Sequence, residues 1–173
     1  NIVIIGSGGR EHALCYKLLK SSKINKIYCI PGNAGTDEIA TNIFADINDF
    51  DKIYKIVLKL NVELIVVGPE IPLVNGIVDY FEKKNIKIFG PNKKCSQLEG
   101  SKFFMKNICK KYNIPSAKYF EISDINQIEK FLSSVSFPVV VKSDGLAAGK
   151  GVTICNNLDE VIKDVQEILA VSY

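Results

Sequence analysis

The change of hydrophobic period within the first twenty residues restricts the fold more than any other feature of the chain. Residues 2–5 form a continuous apolar run, the glycine-rich stretch 6–9 interrupts it, and a helical pattern follows from Glu11 to about residue 20. A buried strand, a glycine turn and an amphipathic helix are the opening unit of a parallel α/β sheet. From this helix we expect four apolar side chains to face inward, namely Ala13, Leu14, Leu18 and Leu19.

The same alternation of strand and helix patterns continues as far as Pro91. Repeated alternation of this kind predicts one doubly wound domain with a parallel sheet. We therefore assign residues 1–91 to a Rossmann-like α/β domain. Its further strands are predicted at 26–30, 42–45, 64–67 and 87–89, and its further helices at 48–60 and 76–84.

The glycine turn at 6–9 predicts an anion site, because amide N–H groups at the start of the following helix face the end of the strand. A dinucleotide is one candidate. Its Gly-x-Gly-x-x-Gly fingerprint needs a glycine where Glu11 stands and an acid at the end of the second strand, where Cys-Ile-Pro stands. A nicotinamide oxidoreductase is therefore the weaker alternative. A solvated helix start for Arg10 and Glu11, and a structural hydrogen bond for His12, also remain open.

Two further loops follow predicted strands of the same sheet. Residues 31–35 read Pro-Gly-Asn-Ala-Gly, which is sufficient for a turn but also stands at a strand end, where ligands of open α/β sheets bind. Residues 68–73 follow the next buried strand and include Glu70. The Glu70 carboxylate either binds ribose hydroxyls or an amine, or matches the dipole of a following helix, and the two roles have equal weight.

The sequence changes character after Pro91. We predict a helical linker at 92–115, with a helical turn at 95–99 and a longer helix at 101–112 that Ser101 caps. Lys102 then lies in the first turn, where a cation opposes the helix dipole, and this favours an anionic partner. The remaining unit, 116–173, is predicted to contain strands at 118–120, 139–142 and 152–155 and helices at 124–133 and 158–170.

A glycine loop joins the last two predicted strands, of which we expect the first to be buried. Residues 144–152 read Asp-Gly-Leu-Ala-Ala-Gly-Lys-Gly-Val, with Lys142 just before them and Lys150 among them. Glycine backbone and lysine ammonium groups in this arrangement can bind a triphosphate. The loop does not match a P-loop, because the glycine spacing is one residue short and Gly151 stands where a magnesium-binding hydroxyl is needed. The alternative is a hairpin whose glycines only form turns.

Composition and charge argue against several classes of protein. The net charge of +3 in 173 residues, with lysines and acids alternating along the helices, does not indicate nucleic-acid binding. Five cysteines form no Cys-x-x-Cys pair beside a single histidine, so we expect reduced, mostly buried thiols and neither a zinc site nor a disulfide framework. No apolar run approaches the roughly 20 residues of a membrane helix and no signal peptide precedes the first strand, so we expect a cytoplasmic protein.

Five segments of the chain resemble the phosphoribosylamine–glycine ligases, a family of ATP-grasp enzymes. They are Gly-Gly-Arg-Glu-His-Ala at 8–13, Pro-Gly-Asn-Ala-Gly at 31–35, Val-Gly-Pro-Glu at 67–70, Leu-Glu-Gly-Ser-Lys at 98–102 and the glycine loop at 144–152. The resemblance covers essentially the whole chain. It implies that residues 1–91 are a pre-ATP-grasp domain and that residues 116–173 are the small α+β lobe of an ATP-grasp fold whose large lobe is expected beyond Tyr173.

The resemblance also implies two groups of site residues, although it assigns no catalytic residue and no metal ligand within this chain. Substrate binding, including the 5-phosphate of a ribosylamine, is assigned to Gly8, Gly9, Arg10, Glu11, Gly32, Asn33, Gly35, Glu70 and Pro72. ATP binding is assigned to Lys102, Lys142, Gly145, Gly149, Lys150 and Gly151.

The reaction that the resemblance implies joins glycine to 5-phosphoribosylamine with ATP and Mg²⁺ (or Mn²⁺). The glycine carboxylate attacks the γ-phosphate to give glycyl phosphate, and the ribosyl amine then displaces phosphate. The protein contributes mainly positioning and charge neutralisation to such a transfer. We expect the metal ligands beyond Tyr173, an inactive 173-residue segment, and small-molecule partners rather than nucleic acid or membrane. A non-catalytic nucleotide-binding module is the third alternative.

Overall fold

The computed structural model describes residues 1–133, 135–147 and 151–171. It divides into two compact units, Asn1–Gly100 and Ser101–Tyr173. Residues 92–115, predicted as a linker, are shared between the two units. Among the described residues, no helix combines the length and the apolar character needed to cross a membrane.

The first unit is a five-stranded parallel sheet, as the alternating pattern predicted. The strands lie in the order β3-β2-β1-β4-β5, and all four strand pairings are parallel. The strands are β1 Ile2–Gly6, β2 Ile27–Pro31, β3 Thr41–Asn42, β4 Leu64–Val67 and β5 Ile88–Phe89. The helices are α1 Gly9–Leu18, α2 Ala34–Asp37, α3 Phe50–Lys59, α4 Glu70–Asn75, α5 Ile77–Glu82 and α6 Lys93–Gly100.

The central strand β1 contributes side chains to a core on each face of the sheet. Val3 and Ile5 belong to one core cluster together with side chains of α3 and α5, such as Ile53 and Phe81. The residues between them face the other side of the sheet, where they pack with Cys15 of α1. Successive side chains of a strand point to opposite faces, so a strand covered by helices on both faces must be apolar at every position.

Two details of the first unit differ from the predictions. The helix α4 was not predicted. It contains Pro72, which lies in the first turn, where its missing N–H leaves no helical hydrogen bond unmade. The inward face of α1 was predicted correctly only in part. Leu14 and Leu18 pack against the core as predicted and Glu11 and Cys15 are buried, whereas Ala13 and Leu19 are exposed.

The second unit contains a two-stranded antiparallel sheet and a small core of its own. Its elements are α7 Lys102–Lys111, a 3₁₀ turn Ile125–Gln127, α8 Ile128–Leu132, β6 Val139–Lys142, β7 Val152–Cys155 and α9 Leu158–Val171. The fully buried side chains of this core come from α8, β7 and α9 and are Ile128, Cys155, Val161 and Val165. This arrangement agrees with the predicted small α+β lobe.

Two strand predictions for the second unit were wrong. Residues 118–120 form no strand, and all three are exposed. The apolar strand β6 is not buried on both faces, since Val140 is 53% exposed, as is its partner Ile154 on β7 at 63%. The sheet packs its other face on α9, and two strands with a helix on one side leave the opposite face open.

Candidate functional site

Three strands of the first unit end at one edge of the sheet, and the loops that follow them are joined by backbone hydrogen bonds. The amide of Gly32 donates to the carbonyl of Gly6 at 3.1 Å, and the amide of Gly68 donates to the carbonyl of Ile5 at 3.0 Å. The glycine turn encloses a cavity of about 330 Å³. This cavity is lined by Gly6, Ser7, Gly8, Gly9, Arg10, Glu11, Ile47 and Pro69.

Glu11 closes the glycine turn from within. Its side chain is buried, and its Oε2 accepts a hydrogen bond of 2.6 Å from the amide of Gly8. A Cβ atom on Gly68 would lie 1.9 Å from Glu11 Oε1, so the carboxylate fills the space that this glycine leaves. Glu11 therefore satisfies the first amide of the helix start, and it stands where a dinucleotide fingerprint would need glycine.

Arg10 and Glu70 connect the glycine turn to the loop after β4. Arg10 Nη1 donates to the carbonyl of Gly68 at 2.7 Å, and Nη2 donates to Glu70 Oε1 at 3.0 Å. Hydrogen bonding to its own backbone, and then to Arg10, lowers the pKa of Glu70. The hydrogen bond that Arg10 donates to Glu70 raises the pKa of Arg10. Both groups are charged at neutral pH, and both side chains are largely exposed at the edge of the sheet.

Asn33 joins the loop after β2 to the glycine turn. Its Nδ2 donates to the carbonyl of Ser7 at 2.8 Å and to that of Gly8 at 3.2 Å, while its Oδ1 accepts from the amide of Thr36 at 2.9 Å. Asn33 is thus both the N-cap of α2 and a cross-link between two loops.

The other two predicted residues of the loop after β2, Gly32 and Gly35, allow close packing with neighbouring side chains. Gly35 leaves room for the ring of His12, which a Cβ atom would approach to 2.7 Å. Gly32 has a φ of +76° and lies against the side chain of Asn42. The His12 ring therefore packs against Gly35 of α2, whereas the predicted structural hydrogen bond of its side chain is not seen among the described residues.

Pro72 is buried within α4 and does not line the cavity. Four residues that were not predicted as site residues do line it, namely Gly6, Ser7, Ile47 and Pro69. Gly6 and Ser7 directly precede predicted Gly8, and Pro69 directly precedes predicted Glu70, so their position was an available signal. Ile47 follows the two-residue strand β3, and its sequence gives no sign of its place at the cavity.

In the second unit, the first turn of α7 already contains an acidic partner. The Asp144 carboxylate accepts from Ser101 Oγ at 3.0 Å and from the amide of Lys102 at 2.6 Å. The Lys102 ammonium group donates to the carbonyl of Gly145 at 2.9 Å. Ser101 is also the N-cap, since its Oγ accepts from the amide of Phe104 at 3.1 Å.

The two ends of the glycine loop lie close together at the end of the β6–β7 hairpin. The amide of Ser143 donates to the carbonyl of Gly151 at 3.0 Å. Gly145 and Gly151 both have a positive φ, at +85° and +73°. Lys142, the last residue of β6, is exposed, and within the described ranges neither Lys102 nor Lys142 forms an ion pair. The predicted ATP-binding residues Gly149 and Lys150 lie outside the described residues.

Metal-binding side chains are not clustered in the part of the chain that the structure describes. No group of three or more histidine, cysteine, aspartate or glutamate side chains there is arranged to hold an ion. The cysteines at 15, 29 and 155 are buried, and all five cysteines are free thiols.

A parallel-sheet unit with a glycine turn after its first strand, followed by a small lobe with a glycine hairpin, is the arrangement of the front part of an enzyme with an ATP-grasp domain. Two family matches divide the chain within one residue of the boundary between the two compact units. Residues 1–99 match the family described as phosphoribosylglycinamide synthetase, N domain, and residues 100–173 match its ATP-grasp (A) domain. The chain therefore belongs to the phosphoribosylglycinamide synthetase family.

Individual relatives agree with this family. A phosphoribosylamine–glycine ligase of Caldanaerobacter subterraneus is 43% identical over 97% of this chain and 40% of its own length. The crystal structure of a phosphoribosylamine–glycine ligase from Thermotoga maritima is 33% identical, with a TM-score of 0.72 over 94% of this chain and 37% of that one. This chain thus spans well under half the length of these relatives.

A more distant structure shares the fold alone. It is the biotin carboxylase domain of a Hydrogenobacter thermophilus 2-oxoglutarate carboxylase, in complex with MgADP, ADP and bicarbonate. It is 19% identical to this chain, with a TM-score of 0.78 over 96% of this chain and 40% of that one.

Proposed function

We propose that this chain is the front portion of an ATP-dependent ligase that joins glycine to 5-phosphoribosylamine, forming glycinamide ribonucleotide, ADP and phosphate. One observation carries the proposal. Both halves of the chain match this ligase family, and in each half cationic side chains lie at a glycine-rich turn. The proposed partners are small molecules.

For the first unit, we assign the 5-phosphate of phosphoribosylamine to the cavity at the start of α1. Glu11 uses the amide of Gly8, but the next amides, of Gly9 and Arg10, have no intrahelical acceptor because the helix begins there. Free amides and the positive end of a ten-residue helix attract a phosphate. Glu11 supports this site by holding the turn rather than by touching the ligand.

The other substrate-binding assignments follow from the contacts at the same edge. Glu70 is an ionised acceptor held by Arg10, so it is suited to the ribose hydroxyls or to the amine. Asn33 keeps the two loops around the cavity together, and Gly32 and Gly35 give the close packing that this needs. Pro72 contributes only by shaping the start of α4.

For the second unit, we assign the ATP phosphates to the glycine loop and its lysines, as in the sequence-based hypothesis. Lys102, Lys142 and Lys150 would neutralise the charge that the triphosphate carries, and the backbone at Gly145, Gly149 and Gly151 would approach it closely. A divalent ion, Mg²⁺ or Mn²⁺, supplies further charge neutralisation at the phosphates when it is bound. The related fold that binds MgADP supports a nucleotide and a metal for this class of domain.

The reaction then needs no protein nucleophile. A glycine carboxylate oxygen attacks the γ-phosphorus, ADP leaves, and a glycyl phosphate forms. The amine of phosphoribosylamine attacks its carbonyl carbon, loses a proton and releases phosphate. The residues described here would hold the reactants and balance their charge, which is the usual contribution of a protein to phosphoryl transfer.

The overall activity is tested on the full-length gene product. ADP formation should require both glycine and phosphoribosylamine, and the product should be glycinamide ribonucleotide by mass spectrometry. The 173-residue chain alone should show no such turnover. ATP cleavage by the full-length protein at a rate that does not depend on glycine would refute the proposal. Binding of NADH, detected by its fluorescence, would favour the oxidoreductase alternative instead.

The ATP site is tested by Lys142→Ala in the same protein. Loss of one charge-assisted contact to phosphate should weaken ATP binding by about 1 to 3 kcal/mol. Lys118→Ala is the matched control, since Lys118 is an exposed lysine of the same unit with no partner among the described residues. Isothermal titration calorimetry measures both affinities. Equal ATP affinity in the wild type and Lys142→Ala would discard the assignment.

A further inference from the structure

The helix start at α7 is already occupied by a carboxylate of the chain itself. Asp144 is 42 residues away from Lys102 and 43 from Ser101, yet it accepts hydrogen bonds from both. Its neighbour Gly145 accepts a third hydrogen bond from the Lys102 ammonium group. Three contacts therefore join the first residues of the glycine loop to the first turn of α7.

These contacts determine which groups of α7 remain available to an anion. The amide of Lys102 is used by Asp144, and the amide of Phe104 is used by Ser101 Oγ. The ammonium group of Lys102 has three N–H donors, and Gly145 uses one of them. In the described part of the chain the other two have no acceptor. The ammonium group, rather than the helix amides, is thus the free donor at this place.

We propose that Asp144 is a positioning residue for the nucleotide: its carboxylate holds the start of the glycine loop against α7 and thereby orients the Lys102 ammonium group toward an ATP phosphate. This inference rests on the proposed function, which assigns ATP to the same loop. Each carboxylate oxygen of Asp144 accepts from one donor. Both hydrogen bonds should be stronger than bonds between neutral groups, because the acceptor is charged.

The first arm of the test measures the contact directly on the 173-residue chain. Removing a hydrogen bond to a charged group should accelerate hydrogen exchange of the Lys102 amide by about tenfold or more in Asp144→Ala, as measured by NMR. Asp144→Asn should give a smaller change, since its amide oxygen still accepts from the Lys102 amide while its NH₂ group cannot accept from the Ser101 hydroxyl.

A matched control is available in the same unit. Asp124 is an exposed aspartate that caps the 3₁₀ turn through the amide of Asn126 at 2.9 Å, and none of its hydrogen bonds among the described residues reaches α7. Asp124→Ala therefore removes a comparable cap elsewhere, and exchange of the Lys102 amide should equal that of the wild type.

The second arm measures kinetics of the full-length gene product at a temperature well below the unfolding of each variant. In Asp144→Ala the KM for ATP should rise by about tenfold, which corresponds to the loss of one hydrogen bond to a charged group. The KM for glycine should stay within the error of the wild type. Asp144→Asn should again lie between, and Asp124→Ala should match the wild type.

The possible results are distinct. A lower melting temperature with unchanged KM for ATP would mean that Asp144 only caps the helix, and this would overturn the inference. Wild-type exchange of the Lys102 amide in Asp144→Ala, or an equal rise of KM for ATP and for glycine, would overturn it as well. If the wild-type protein itself shows no glycine-dependent turnover, the proposed function fails, and the inference about ATP fails with it.

Discussion

Replacement of Gly68 by alanine tests whether Glu11 holds the glycine turn together. A Cβ atom at position 68 would lie 1.9 Å from Glu11 Oε1 and 2.6 Å from its Cδ, closer than real Cβ contacts occur. The end of an exposed glutamate would simply move aside. Glu11 is only 4% exposed, and its other oxygen holds the amide of Gly8, so moving it breaks that hydrogen bond.

The expected cost follows from that broken bond. A hydrogen bond to a buried charged group contributes about 1.5 to 3 kcal/mol, so Gly68→Ala should lower the free energy of unfolding of the first unit by about that amount. With a urea m-value of about 2 kcal/mol per molar, the midpoint should fall by roughly 1 M.

The measurement should report the first unit alone, because the chain has two compact units. Methyl NMR signals of Ile5 and Ile65, both fully buried in the first core, can be followed through a urea titration. Gly9→Ala is the control, since a Cβ atom there has no neighbour within 4 Å. Its position at the start of α1 should make it neutral, or more stable by up to about 1 kcal/mol.

A double mutant distinguishes the proposed cause from general crowding. Gly68→Ala is expected to act by displacing the Glu11 carboxylate. When Glu11→Ala has already removed that carboxylate, the Cβ atom at position 68 no longer meets it. The double variant should then be about as stable as Glu11→Ala alone, so the two changes should not add. Wild-type stability of Gly68→Ala, or fully additive losses in the double variant, would refute the reasoning.

Three further predictions concern burial and charge. Burial raises the pKa of the Cys29 thiol to about 12, so at pH 8 iodoacetamide should label exposed Cys95 rapidly and leave Cys29 unlabelled, as mass spectrometry of peptides would show. Because the pKa of Glu70 is lowered in the folded state, its contribution is present above roughly pH 4.3 and is lost as the pH falls. Glu70→Gln should therefore reduce the stability difference between neutral and acidic pH in urea titrations, by less than about 1 kcal/mol because its pair with Arg10 is exposed. Ile53→Ala should lower the free energy of unfolding by about 2 to 5 kcal/mol in the same titrations, since Ile53 is fully buried; a loss below 1 kcal/mol would contradict its place in the core.

The sequence was sufficient to predict the parallel sheet because its information there is local. A strand buried on both faces needs an unbroken apolar run, and the runs in β1 and β4 satisfy this condition. The N-cap role of Ser101 was equally local and is confirmed. The predicted strand at 118–120 failed because a strand needs a partner edge, and no local pattern shows whether one exists.

The contacts of the candidate sites could not be predicted, since they join residues that are far apart in the chain. Arg10 reaches Gly68 and Glu70 across about sixty residues, and Asp144 reaches the start of α7. The place of Lys102 in the first helical turn favoured an anionic partner. It did not show that an aspartate of the same chain accepts a hydrogen bond from the Lys102 amide.

The helix starts of α1 and α7 solve the same electrostatic problem in different ways. In each, a carboxylate takes one early amide, and a cationic side chain, Arg10 or Lys102, lies in the first turn. Glu11 belongs to its own helix and is buried, whereas Asp144 comes from a distant loop and is exposed. Because the Glu11 carboxylate is buried, the turn at α1 should keep its geometry without a ligand. At α7, the contacts of Asp144 and Gly145 leave the Lys102 ammonium group with two N–H donors that have no acceptor among the described residues, and a nucleotide phosphate should occupy these.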